Sequence, residues 1–125
     1  QQLVDLATFV AVVDGVDAGL VRAGPFSDDP GAAMLLSMWV APSARGRGAG
    51  DALIGAVVEW ARASGFARVL LDVGDHNAPA IALYARNGFA PTGETGSLPP
   101  PREHVLEHRR ALDLAPGGVE PGDTA

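Results

Sequence analysis

Short β-branched and apolar runs, separated by glycine, proline and aspartate, fill the first forty residues. Residues 7–13 (ATFVAVV) read as a strand and end at Asp14-Gly15, a dipeptide suited to a two-residue hairpin turn. A returning strand over 16–23 follows; Gly24-Pro25 predicts its end, and SDDPG over 27–31 a polar turn. Residues 32–40 are almost wholly apolar, as in a strand covered on both faces. The simplest arrangement of the three is an antiparallel meander. From residue 49 the period changes. Leu53, Val57, Trp60 and Ala61 recur at helical spacing, which predicts an amphipathic helix over 49–64 with Gly65 as its C-cap. FARVLLDV over 66–73 returns to strand, and strand–helix–strand succession implies a parallel or mixed sheet with a right-handed crossover. A shorter helix over 78–87 carries Pro79 in its first turn and stops at Gly88. After it come a strand starting at 89–92, a Gly/Pro-rich loop through Pro101, and a last strand over 103–112. Residues 115–125 lack periodicity and are expected as a disordered tail behind one domain over 1–114.

Composition narrows the field of functions. A chain of 125 residues that is 47% hydrophobic has the length and apolar content for one folded core. No window reaches the roughly eighteen uninterrupted apolar residues of a membrane span. No basic segment with a cleavage site opens the chain, so a cytoplasmic location without a membrane partner is expected. With no cysteine there is no disulfide, thiolate nucleophile or zinc–thiolate site, and no other metal-ligand cluster is visible. A net charge of −6 argues against nucleic acid as a partner and is mildly favourable to a cationic amine.

The candidate chemistry begins where the third strand stops. Pro42 cannot donate to a sheet ladder, and the glycine-rich stretch Arg45-Gly46-Arg47-Gly48-Ala49-Gly50 leads straight into the long helix. Glycines leave backbone N–H groups uncovered, and the helix N-terminus adds unpaired N–H groups and the positive end of its dipole. Arg45 and Arg47 add positive charge. Together these make a cradle for a phosphate or pyrophosphate. It is not a P-loop, because the chain contains no lysine, and Asp51 stands where a dinucleotide-binding fingerprint needs its third glycine.

The order Arg-x-x-Gly-x-Gly after a strand ending Met38-Trp39-Val40-Ala41-Pro42 resembles the coenzyme A signature of the GCN5-related N-acetyltransferases. A second stretch, from Asn77 through Tyr84 to Gly88-Phe89, resembles that superfamily's motif of strand end, Asn and short Tyr-bearing helix before Gly-Phe. The two cover about half the chain, from about residue 35 to 94. The resemblance implies an α/β fold with a mixed, mostly antiparallel central sheet and helices on both faces. Only about six residues precede Ala7, so the usual N-terminal strand and helices that wall the acceptor site are expected to be lacking.

The resemblance also implies roles. The backbones of Met38 and Val40, flanking Trp39, would pair with the pantetheine arm of acetyl-CoA, and the amides of Arg45 to Gly50 would hold its pyrophosphate. Asn77 would bond the pantetheine. Tyr84 would stand beside the sulfur as general acid; the alternative is a core tyrosine with its hydroxyl bonded to backbone. Asp72 matches the position of a Glu proposed as base in the ribosomal-protein N-terminal acetyltransferases. Its parity takes it off the face of Leu71 and Val73, and its shorter side chain favours a water relay. Alternatively it is a solvated or Arg68-facing carboxylate. His76 reads as an exposed loop residue, Asp28 and Asp29 as turn residues, Arg109 and Arg110 as an exposed strand face, and Trp39 and Trp60 as packing. The implied activity is direct acetyl transfer from acetyl-CoA to a primary amine, with dimers common in the family. An acyl-CoA-binding sensor or partner domain without turnover is the alternative.

Overall fold

The computed structural model describes residues 6–97 and 100–114, so the expected tail over 115–125 lies outside the described residues. Strands β1 (Ala7–Val13), β2 (Val16–Phe26), β3 (Asp29–Val40), β4 (Arg68–Gly74), β5 (Ala90–Ser97) and β6 (Leu106–Asp113) form one sheet. Its order is β1-β2-β3-β4-β6-β5. Only β3 and β4 run parallel, joined through helix α1 (Ala49–Ala63); helix α2 (Ala78–Arg86) connects β4 to β5. The meander, the mixed sheet and both helices stand as expected.

Local chemistry explains the boundaries. Asp14 and Gly15 both take positive φ, 53° and 80°, the backbone that twists a two-residue hairpin to match its strands. Gly65 (φ 88°) ends α1, and the Phe66 N–H reaches back to the Ala61 carbonyl at 3.0 Å, a Schellman-type close. Phe66 therefore belongs to the helix cap, packs on Trp60 at 5.5 Å between ring centroids, and β4 begins two residues later than expected.

Three expectations at strand ends need correction. Gly24-Pro25 does not end β2: Pro25 still opposes Ala33, and the ladder, which already shifts between Arg22 and Ala23, shifts again just after it, so the missing N–H falls beside a bulge. The polar turn shrinks to residues 27–28, because Asp29 already opens β3, its carboxylate accepting from the Gly31 N–H at 3.0 Å and from Arg68 at 2.6 Å. The segment after Thr92 is not a loop. β5 continues to Ser97 around a bulge at Gly93 (φ 90°), where the β5–β6 register shifts between Pro91 and Thr95. β6 in turn starts at Leu106.

Val21, Ala33, Leu35, Val69, Leu71 and Val73 present one sheet face to Leu53, Ile54, Val57 and Ala61 of α1, and Tyr84 and Phe89 join the same cluster. Leu53, Ile54, Val57, Leu71 and Phe89 are essentially solvent-free, each contributing on the order of 1.5–3 kcal/mol by removal from water. This core fixes α1 beneath β3 and so fixes the glycine turn between them. The opposite face of β1–β3 is different. Val10, Leu20 and Trp39 lie in register across the three strands, with Val10 51% and Trp39 53% exposed. Trp39 is thus not a packing residue, whereas Trp60 is half-buried against the core.

Candidate active site

β3 and β4 pair only from Ala32↔Arg68 to Met34↔Leu70 and then part. The Ala41 N–H donates to Ala18 of β2 at 2.7 Å, so by strand alternation the backbones of Met38 and Val40 face the gap on the β4 side. Their side chains pack toward the core, and Trp39 points to the other face. An edge of backbone that pairs with no strand therefore leads down toward the glycine turn.

The turn is wound tightly. The N–H groups of Arg45 and Arg47 donate to the carbonyls of Pro42 and Ala44, both at 3.3 Å. Gly46 (φ 78°) and Gly48 (φ 84°) take left-handed backbone in open space, so conformation rather than room demands glycine there. Gly48 is the N-cap of α1 with no side-chain cap, and the first bond of the helix runs from the Ala52 N–H to the Gly48 carbonyl at 3.0 Å. The amides of Ala49 and Gly50 are thereby left for an external acceptor, while the Asp51 N–H faces its own carboxylate. Gly50 is small for a different reason: a Cβ there would sit 3.0 Å from Leu83 Cδ2 and 3.4 Å from Met38 Cε. That closeness brings α2 alongside the start of α1.

Between them opens a cleft of about 620 Å³, lined by Val40, Arg45, Gly48, Gly50, Asn77 and Leu83 among others. Arg45 lines it while its Nε donates to the Val40 carbonyl at 3.2 Å. Arg47 does not; its guanidinium reaches back to Asp14 at the β1–β2 hairpin, 3.2 Å away. Asn77 is the N-cap of α2, its carbonyl oxygen accepting from the Ala80 N–H at 3.2 Å, which leaves its amide nitrogen beside the cleft. Sequence reasoning missed a further pair at the rim. Arg86 grips Asp51 at 2.9 and 3.1 Å, and Asn87 donates to the same carboxylate at 2.8 Å. The hydrogen bonds from Arg86 and Asn87 hold the Asp51 carboxyl below the usual carboxylate range. Nothing in the spacing of residues 51 and 86 signals this; it exists only because the two helix ends meet.

A family model described as "Acetyltransferase (GNAT) family" matches residues 2–89. The chain belongs to that GNAT family. Over 95 residues it is 39% identical to the streptothricin acetyltransferase of Streptomyces lavendulae, covering 75% of this chain and 50% of that protein. Its fold superposes on a crystal structure of nourseothricin acetyltransferase with a TM-score of 0.79 and 33% identity, covering 87% of this chain and 65% of the other. A GNAT protein from Kribbella flavida superposes with a TM-score of 0.74 and 32% identity, covering 87% and 68%. The chain spans 30–50% of the length of the first curated relatives it matches.

Within this GNAT frame the two expected catalytic side chains sit apart from the cleft lining. Tyr84 follows Leu83 on α2 but turns into the core, 8% exposed and edge-on to Phe89 at 6.2 Å. Burial pushes its phenol upward, so it stays protonated at neutral pH. Asp72 leaves the core face, as its parity requires, and meets its cross-strand partner Arg109 in a two-pronged ion pair of 2.9 and 3.1 Å. Arg109 is therefore not an exposed strand residue. It is half-buried, lies 5.0 Å over the Phe26 ring and comes within 3.7 Å of Glu94. The Asp72 hydrogen bonds raise its pKa still further. Arg110, on the other face, donates to the Phe89 carbonyl at 2.8 Å and tethers the start of β5. Arg68 is taken by Asp29, not Asp72, and His76 is exposed, as expected, 3.7 Å from Asp75.

Proposed function

We propose that this chain carries the donor site and reacting groups of an N-acetyltransferase that moves an acetyl group from acetyl-CoA to a primary amine. The observation that carries this is continuity: the Met38–Val40 edge, paired with no strand on the β4 side, runs into the uncapped N-terminus of α1. A chain of amide and diphosphate groups needs that sequence of partners, strand-like bonds first and a cluster of N–H donors at the end. The pantetheine lies along Met38 and Val40, with Asn77 opposite. The pyrophosphate takes the free amides of Gly46 and of Gly48 to Gly50, with Arg45 adding charge.

In the ternary complex the amine lone pair attacks the thioester carbonyl carbon, and the Val40 N–H polarises the carbonyl oxygen. Collapse of the adduct breaks the C–S bond. The departing thiolate takes a proton from the Tyr84 hydroxyl, for which a raised phenol pKa is compatible with an acid that starts neutral. The surplus proton of the new amide nitrogen leaves through water toward Asp72, whose oxygens Arg109 orients. Two of the relatives are named for streptothricin and nourseothricin, and streptothricin is one candidate acceptor to try.

One observation favours a second reading, an acyl-CoA-binding domain without turnover: Tyr84 lies outside the cleft lining and both Asp72 oxygens are engaged. Thiol release from acetyl-CoA, followed with a panel of primary amines that includes streptothricin, separates the two. Amine-dependent release supports transfer. Saturable acetyl-CoA binding with no release on any amine supports the binding domain.

A further inference from the structure

The charged side chains lining the cleft are Arg45, Asp51 and Arg86. Asp51 is the odd member. As a first-turn carboxylate it complements the α1 dipole while the cleft is empty, yet it sets a negative charge beside amides that an anion would use. With Arg86 in place the three sum to one positive charge; without Arg86 they sum to zero. The geometry of the pair is specific, with Nε and Nη2 of one guanidinium edge each on a different carboxylate oxygen and Asn87 bonded to one of them. Asn87 also donates to the Leu83 carbonyl at 2.9 Å, so the whole assembly is anchored to the last turn of α2.

We infer that Arg86 is a positioning residue for diphosphate binding that acts through Asp51, cancelling its charge and clasping the end of α2 to the start of α1. This rests on the reading that the cleft takes the diphosphate of acetyl-CoA. Arg86 does not itself need to touch the ligand. Loss of Arg86 exposes the diphosphate to an uncompensated carboxylate, and the repulsion weakens with added salt because the site is open to solvent. Loss of Asp51 removes the reason for the clasp.

Four proteins measured for coenzyme A affinity by calorimetry test this: the parent chain, Arg86→Ala, Asp51→Asn and the double variant. Arg86→Ala is expected to weaken binding about tenfold at low ionic strength, with a smaller deficit in high salt. Asp51→Asn is expected to tighten it a few-fold, and the double variant to return to near the parent value. Arg86→Lys, which keeps the charge without the two-pronged geometry, should retain most of the affinity. In turnover the defect of Arg86→Ala falls on KM for acetyl-CoA and spares kcat. A double variant as weak as Arg86→Ala alone overturns the inference, because Arg86 would then contact the ligand directly. Parent-like affinity of Arg86→Ala overturns it as well. If the parent chain binds no coenzyme A, the reading of the cleft falls, and the inference falls with it.

Discussion

The two sides of the parted β3–β4 strands are built from different materials. On the cleft side, the groups set toward a ligand are mostly main-chain: the Met38–Val40 edge, the glycine turn and the first amides of α1, all backed by a solvent-free core. On the other side the surface is made of side chains tied to one another. Asp72, Arg109 and Glu94 form a charged knot across β4, β6 and β5, and the apolar row Val10–Leu20–Trp39 on β1–β3 is exposed at Val10 and Trp39 with Leu20 half-buried between them. Main-chain donors held by a core have fixed positions whatever solvent does. A knot of partly exposed charges is adjustable, and it can be altered without moving the cleft.

The largest break in this contrast should come from Gly48→Val. A β-branched residue at φ 84° is strained by roughly 1–3 kcal/mol and disturbs the N-cap of α1. In the parent, acetyl-CoA at about a hundredfold excess over its Kd should stabilise the fold by roughly 2.7 kcal/mol. The corresponding rise in melting temperature is expected to vanish in Gly48→Val, and a full shift there would remove the turn from the site.

Next in size is Tyr84→Phe, which keeps the packing on Phe89 and deletes the proton. Acetyl-CoA affinity should hold while kcat falls roughly 10²-fold. Parent-like turnover on a good acceptor would strip Tyr84 of its role as acid and leave it a core residue.

On the charged side, Arg109→Ala should cost about 1 kcal/mol, because the Asp72 pair is partly shielded but still wetted. Coenzyme A binding, measured in the same sample, should stay within twofold of the parent. A large loss of cofactor affinity in Arg109→Ala would show that the two sides are not independent.

The smallest effect expected is a pH dependence at the rim. The folded-state pKa of Asp51 lies below its unfolded value, so its contribution is present above the ordinary aspartate pKa of about 4 and is lost as pH falls through the folded value. Asp51→Asn should therefore lower the melting temperature slightly at pH 7 and by less near pH 3. Equal lowering at both values would assign the effect to something other than charge.

The contrast also explains what could be read from the sequence. α1 was legible because Leu53, Val57 and Ala61 repeat with the helix period, and the cleft was legible because glycines and a helix start are local features. The ends of β2 and β5 were not. Whether Pro25 or Gly93 stops a strand or merely bends it depends on the opposing strand, through the register of Ala33 and of Thr95–His108. Arg109 looked exposed because its partners, Asp72 and Phe26, are 37 and 83 residues away along the chain. Trp39 looked like core because nothing in its neighbourhood states which face of β3 is covered. The family resemblance supplied an order of elements and a list of positions, but not the Asp51–Arg86 clasp, which no local pattern encodes.

The most direct test is to follow backbone amide resonances of the chain during titration with coenzyme A. The expected result is that the largest changes fall on Gly46, Gly48, Ala49 and Gly50, with Met38, Val40 and Asn77 next, and that Asp72, Glu94 and Arg109 barely move. Changes centred on β4–β6, or none at all at saturating ligand, would contradict the assignment of the cleft.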